Sequence, residues 1–99
     1  MRIDHEIERL VWDDWNREHI HRHAVAVHEV EEVVAHRTIR KPTYKGRLLL
    51  IGATVAGRMV SVVVGPSPDQ PGSFYVFTAR PASNSERRRY DQETEEVQR

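Results

Sequence analysis

Three alternating histidines are the first group in this sequence that can do chemistry. His19, His21 and His23 sit close together, and histidine gains or loses a proton near neutral pH. On a helix only His19 and His23 share a face, because residues four apart lie one above the other. One helix therefore supplies two metal ligands at most, and Asp13 or a distant histidine would have to be the third. The trio indicates either acid–base chemistry or packing, and a metal site is the weaker alternative because no zinc signature is present.

Arginines form the second group, in the stretch from 77 to 90. Arg80 ends a run of strand-forming residues, and Pro81 disfavours the helical region at Arg80, so the chain cannot pass directly into a helix. Ser83 and Glu86 have the capping-box spacing that opens a helix. Clustered arginines can hold phosphates because the planar guanidinium binds two oxygens at once. The alternative is an edge arginine followed by a solvated helix.

Composition indicates one small domain, residues 1–99, that belongs in a reducing compartment. The sequence has no cysteine, which excludes disulfides and thiolate chemistry. No apolar run is long enough for a signal peptide or a membrane span, so we expect a soluble, cytoplasmic protein. The net charge is zero, but residues 37–80 hold five Arg and two Lys against Asp69 alone. That segment predicts a local basic surface.

The patterns predict an α+β fold with two helices near the beginning and one at the end. Asp13 or Asp14 can cap the first helix, a break follows at 24–27, and valines at helical spacing from Val27 predict the second. The last helix runs from Ser83 to about Gln98, is polar nearly all round, and is expected to fray over residues 94–99.

Between the helices the sequence predicts an antiparallel sheet of three or four strands. Two β-rich runs, 47–54 and 58–64, are joined by a turn at Gly57, and 74–79 follows as a strand antiparallel to the second run. The segment 36–45 contains Pro42 and is either a loop or an edge strand, and 6–12 is a possible short first strand. Trp12 and Trp15 are expected in the core, because a domain this small needs large apolar side chains.

Six short stretches now fit together in one order: Trp12–Asn16, His19–His23, Glu29–Val33, Gly46–Thr54, Gly57–Arg58 and Thr78–Arg87. Together they resemble the BrnT toxins of bacterial type II toxin–antitoxin systems, over roughly residues 7–93. Two departures stand out. The family usually has Lys-His-Gly after the first helix, where this chain has Arg22-His23-Ala24, and many members are basic. Without glycine, φ > 0 is harder to reach, so we expect this turn to differ.

The resemblance implies a RelE-like fold and metal-independent endoribonuclease activity without a cofactor. The partners it implies are an RNA substrate and a separately encoded antitoxin. Whether the chain forms a homodimer or a toxin–antitoxin hetero-oligomer stays open. A non-catalytic relative that binds protein or RNA is the alternative function, and a metal-binding regulator is a weaker third.

Cleavage of this kind needs a base for the 2′-hydroxyl proton, cations for the phosphate, and an acid for the leaving 5′ oxygen. The resemblance makes His23 the candidate base or acid and Arg80 the main phosphate ligand. The further catalytic candidates are Arg58, Arg87 and Tyr90. Arg47, Lys41 and Lys45 are expected to bind RNA, whereas Arg88 and Arg89 are expected to pair with acids on the helix surface.

Overall fold

The computed structural model describes residues 7–97. The elements, in chain order, are β1 (Arg9–Val11), α1 (Asp14–Arg22), α2 (Val27–Ala35), β2 (Thr38–Thr43), a 3₁₀ turn (Tyr44–Gly46), β3 (Arg47–Ala53), β4 (Met59–Pro66), β5 (Ser73–Pro81) and α3 (Asn84–Val97). None of these helices has the length and apolar character that crossing a membrane requires.

Within residues 7–97 the sheet has five strands in the order β1-β5-β4-β3-β2, so the predicted three or four strands and purely antiparallel pairing are wrong. β1 pairs parallel to β5, and the other pairs are antiparallel. β1 is only three residues long, too short to show a period. β2 contains Pro42, which lacks an N–H donor and is tolerated because β2 is an edge strand. β1 depends on pairing with distant residues of β5, whereas β2 pairs with β3, the strand that follows it in sequence.

α1 and α2 cover one face of the sheet, and α3 lies on the other. Alternate residues of the central strands, including Leu50, Val60 and Val62, pack against Ile20 and Val30 of the two helices in a buried core. The residues between them face α3, as Ile51 and Ser61 do. The protein therefore has three layers, with the sheet between the α1–α2 pair and α3. The face of the sheet that α3 covers remains partly exposed.

Local signals predicted most boundaries correctly. Asp13 caps α1 by accepting from the Asn16 N–H at 2.9 Å, and α2 begins at Val27. Gly57 has φ +91° in the turn between β3 and β4, and β5 pairs antiparallel to β4. α3 continues to Val97, so fraying over residues 94–99 stays a prediction, and residues 98 and 99 lie outside the described part of the chain.

The turn after α1 is a Schellman motif with alanine at its left-handed position. The Val25 N–H donates to the Ile20 carbonyl at 3.1 Å, and the Ala24 N–H donates to the His21 carbonyl at 2.9 Å. Ala24 has φ +63°, where glycine is usual. Val25 and Ile20 are both buried, which completes the motif with its apolar contact. The tertiary packing of these two residues thus holds Ala24 in a costly conformation.

We expect Ala24→Gly to stabilise the protein by about 1 kcal/mol, because it removes the steric cost of a left-handed alanine. Thermal unfolding should then shift upwards by about 4–8 °C. Ala35→Gly at the last turn of α2 is the matched control, and it should lower the melting temperature because glycine disfavours helix. A lower melting temperature for Ala24→Gly would contradict this account of the turn.

Candidate nucleic-acid interface

A β-bulge in β5 joins the two side-chain clusters that make up the candidate site. Val64 of β4 lies opposite Val76, but Val63 lies opposite Thr78, so Phe77 is an extra residue. Bulges of this kind bend a strand and redirect its side chains. Phe77 belongs to the first cluster, which lies on the open sheet face and includes Arg47. Thr78 contacts the second cluster, on α1, through His19.

The first group, called here the Arg47 cluster, consists of Tyr44, Arg47, Tyr75 and Phe77. The Phe77 ring lies against Gly65, where an added Cβ would approach the ring carbon Cε2 to 2.8 Å. The Arg47 guanidinium carbon is 3.6 Å from the centre of the Phe77 ring and 5.6 Å from that of Tyr44. Tyr75 meets Phe77 edge-on at 5.1 Å. The cluster is a stacked, cationic platform on the sheet.

Tyr75 connects this platform to α1. Its hydroxyl donates to the carboxylate of Asp13, the N-cap residue, at 3.0 Å. Burial raises the pKa of Tyr75, and the hydrogen bond to Asp13 acts in the same direction. The phenol therefore stays protonated and fixes the platform against the first turn of α1.

Beside the platform, a groove of about 490 Å³ separates the sheet from α3. Leu49 and Ile51 form its floor, and Lys41, Arg88 and Arg89 stand on its sides. The acids that line it are already neutralised: Glu86 pairs with Arg80 and Glu93 with Arg89. Among residues 7–97, no ion pair engages Lys41, Lys45 or Arg88. We call the groove and the Arg47 cluster together the trough.

The second cluster is a ladder of aromatic rings on α1: Trp15, His19 and His23. Trp15 stacks on His19 with centroids 4.8 Å apart, and His23 meets His19 edge-on at 5.1 Å. The expectation that Trp15 is core is wrong, since 59% of it is exposed. Trp12, by contrast, is partly buried against the core, and its indole N–H donates to Glu31 at 2.8 Å.

His23 is the exposed end of this ladder and the C-cap of α1. Two contacts give the direction of the helix along β5: Asn16 donates to the Val76 carbonyl, and His19 hydrogen-bonds the Thr78 hydroxyl at 3.1 Å. One further turn of helix advances about 6 Å, close to the rise of two strand residues. His23 therefore lies towards the Arg80 end of β5.

Arg80 is held by Glu86, the acid of the predicted capping box. Two nitrogens of the guanidinium donate to the two carboxylate oxygens, each at 2.8 Å. The same carboxylate accepts from the Ser61 hydroxyl and the Ser83 N–H. The hydrogen bond from Arg80 is the largest of the effects that lower the pKa of Glu86 to about 2. This ion pair joins α3 to β4 and β5. Because two N–H groups of Arg80 are already bound to Glu86, a phosphate would meet only its remaining N–H donors.

Arg58 is paired in the same way, but on the opposite face of the sheet. It donates to Glu29 of α2 at 2.8 Å. The Ala26 N–H and Arg58 together lower the pKa of Glu29, against the effect of burial. By strand alternation Arg58 falls on the side of Val60, whereas Arg80 pairs with Ser61 on the α3 side. The expectation that both arginines support one phosphate is therefore at odds with the fold.

The structure also changes the predicted division of the arginine triplet. Arg88 and Arg89 line the groove, although Arg89 does pair with Glu93 as expected, at 2.9 Å. Arg87 is exposed and is not among the groove residues. Tyr90 lies midway along α3, with its hydroxyl 3.5 Å from the Arg37 carbonyl oxygen, away from Arg80. Arg87 and Tyr90 therefore do not line the groove, whereas Arg88 and Arg89 do.

Lys41 and Arg47, both expected from the sequence to bind RNA, lie on one face of the sheet, and the sequence did not predict the aromatic rings beside Arg47. Single aromatic residues in strands usually face a core, so residue type alone did not predict the exposed rings of Tyr44, Tyr75 and Phe77. The available signal was the alternation of β5, in which Phe74 is buried and Tyr75 half-exposed. The same alternation turns Phe77 outwards, and the bulge changes it only beyond Phe77, where Ala79 is buried in place of Thr78.

Neither a scan against protein-family models nor a search of curated proteins finds a match to this chain. Within residues 7–97 no three acidic or histidine side chains converge as a metal site would need. A search of solved structures finds the 1.1 Å crystal structure of the Brucella abortus ribonuclease toxin BrnT. The two are 23% identical with a TM-score of 0.60, over 77% of this chain and 97% of the toxin. The chain has the BrnT fold.

Proposed function

We propose that this protein is an endoribonuclease toxin of the BrnT type. The observation that carries the proposal is the trough: on the fold of a ribonuclease toxin, an open sheet face carries aromatic rings beside cations, of which Lys41 and Arg88 form no ion pair within residues 7–97. Cations on an open surface attract the RNA backbone, and aromatic rings stack on unpaired bases. A single-stranded RNA is the ligand with both features.

His23 supplies the acid–base chemistry in this proposal. An RNA strand in the trough extends across the bulge towards the end of β5 where His23 is exposed. There the imidazole accepts the 2′-hydroxyl proton or protonates the departing 5′ oxygen, and the 2′ oxygen attacks the adjacent phosphorus. The remaining N–H donors of Arg80 meet the phosphate as its charge builds. The products are a 2′,3′-cyclic phosphate and a 5′-hydroxyl.

A toxin that cleaves RNA must be restrained by its host cell. We therefore propose a cognate antitoxin protein that binds this chain, and the cytoplasm as the place where both act. Metal ions have no part in the proposed steps.

One observation favours a second function, that of a non-catalytic binding module. Arg80 and Arg58, the two arginines nearest the ends of β5 and β4, are both neutralised by glutamates at 2.8 Å. Among the described residues this leaves few cations without an ion pair beside His23, whereas the trough keeps Lys41 and Arg88. Such a protein would hold RNA without cutting it.

Induced expression in bacteria separates these functions. The proposed toxin arrests growth and fragments cellular RNA soon after induction, and a plasmid with an early stop codon in the same reading frame is the control. Soluble protein at comparable level, with normal growth and intact RNA, would contradict the toxin and favour the binding module.

A further inference from the structure

We infer that Tyr44 and Arg47 form a stacking site for one unpaired nucleobase of a single-stranded RNA. The choice of RNA as the ligand rests on the proposed function, whereas the stacking site itself follows from the arrangement of the rings. The site lies at the β2–β3 end of the trough, away from the histidine ladder.

Arg47 is prepared for stacking before any ligand arrives. One face of its guanidinium covers Phe77 at 3.6 Å, and its aliphatic stem lies close to Gly65. The absence of a side chain at Gly65 leaves room for the Phe77 ring beneath the arginine. A guanidinium fixed in this way loses little freedom when a base stacks on its other face. It also keeps N–H donors that can meet acceptors on the edge of a base.

Tyr44 provides the second ring of the site. It precedes Lys45, whose φ of +62° makes the tight turn between β2 and β3, and it is 69% exposed. Its ring centre is 5.6 Å from the Arg47 guanidinium carbon and 5.8 Å from the Lys45 ammonium. An exposed tyrosine held beside two cations presents a flat apolar surface next to positive charge. A nucleotide, with its flat base and charged phosphate, complements both.

Charge around the site favours RNA over an apolar protein segment. Lys45 is adjacent in sequence, and Lys41 stands on the same face of β2 as the groove floor. In residues 7–97 neither lysine forms an ion pair, so both are available to phosphates. An RNA strand with one base stacked on Tyr44 and Arg47 therefore has its phosphate backbone along these lysines, leading towards α3.

The test measures binding of a short 2′-O-methyl uridine oligonucleotide, which cannot undergo cleavage through its 2′ oxygen. Tyr44→Ala and Arg47→Lys should each weaken binding about 5- to 100-fold, the usual effect of one lost base–aromatic or base–guanidinium stack. Arg47→Lys keeps the charge and removes the planar group, so it separates stacking from electrostatics. Inorganic polyphosphate, which has charge but no base, should bind both variants as it binds the wild type.

Salt dependence gives a second readout. Lys41→Ala should reduce the slope of log K against log salt by about 0.7, because one phosphate contact is lost. Tyr44→Ala should leave the slope unchanged. Val55→Ala, at an exposed apolar side chain in the β3–β4 turn, is the control. It should change neither the affinity for the oligonucleotide nor the salt slope.

Three outcomes would overturn the inference. The first is no oligonucleotide binding by the wild type, and the second is wild-type affinity in Tyr44→Ala or Arg47→Lys. The third is that these variants lose as much affinity for polyphosphate as for the oligonucleotide. Its failure is distinguishable from failure of the proposed function. Tyr44-dependent binding by a protein that leaves unmodified RNA intact would contradict only the ribonuclease. RNA cleavage with unchanged binding by Tyr44→Ala would overturn only the stacking site.

Discussion

His23→Ala should reduce the rate of RNA cleavage by about 10²- to 10⁴-fold, the usual contribution of one general acid or base. The imidazole is exposed at the end of α1, so its removal takes away a proton-transfer group without opening the core. Its ring contact with His19, at 5.1 Å, is at the surface and contributes little to stability. The measurement is the cleavage rate of a labelled RNA by purified protein.

His21→Ala is the matched control for this variant. His21 is exposed on the same helix, two residues earlier, and its side chain points away from the face shared by His19 and His23. It should cleave RNA at the wild-type rate. Equal rates in both variants, whether high or low, would contradict a specific role for His23.

The second large effect concerns the attachment of α3. Glu86→Gln should destabilise the protein by about 2 kcal/mol, because hydrogen bonds to charged groups are lost and Arg80 is left uncompensated. The Glu86 side chain is only 15% exposed, whereas that of Arg80 is 45% exposed, which keeps the effect below that of a fully buried pair. The melting temperature should fall by roughly 10 °C.

The pH dependence of stability gives an independent check on the same carboxylate. The folded-state pKa of Glu86 is lowered from 4.5 to about 2, so the unfolded chain binds its proton more readily. The contribution of Glu86 is therefore fully present above about pH 5 and is lost as the pH falls towards 2. Glu86→Gln should lose less stability than the wild type over this range.

Arg89→Ala is the control for the ion pair. Arg89 and Glu93 lie one turn apart on the surface of α3, each nearly half-exposed. Such pairs contribute about 0.5 kcal/mol or less, so the melting temperature should barely change. A loss as large as that of Glu86→Gln would mean that the outer turns of α3, rather than its first turn, hold it to the sheet.

Sequence reasoning predicted the elements whose signals are local. These local signals each occupy a few neighbouring residues: the helix cap at Asp13, the capping box at Ser83, the turn at Gly57 and the hydrophobic runs of β3 and β4. β1 and β2 were uncertain because a short strand or an edge strand with Pro42 is stable only through its partner. Residue pattern alone does not show which partner is present.

The candidate site was harder to predict because side-chain direction depends on the whole fold. The opposite facing of Arg58 and Arg80 follows from strand register, which is fixed by pairing across the sheet. Their capture by Glu29 and Glu86 depends on where two helices pack. Residue type points to a chemistry of cations and histidines, and the fold determines which of these side chains remain available for it.

The central claim is tested most directly by the ends of the RNA that this protein produces. Purified protein should convert single-stranded RNA, in the presence of excess EDTA, to fragments with 2′,3′-cyclic phosphate and 5′-hydroxyl ends. Fragments with 3′-hydroxyl ends, or RNA left intact by folded protein, would contradict the claim.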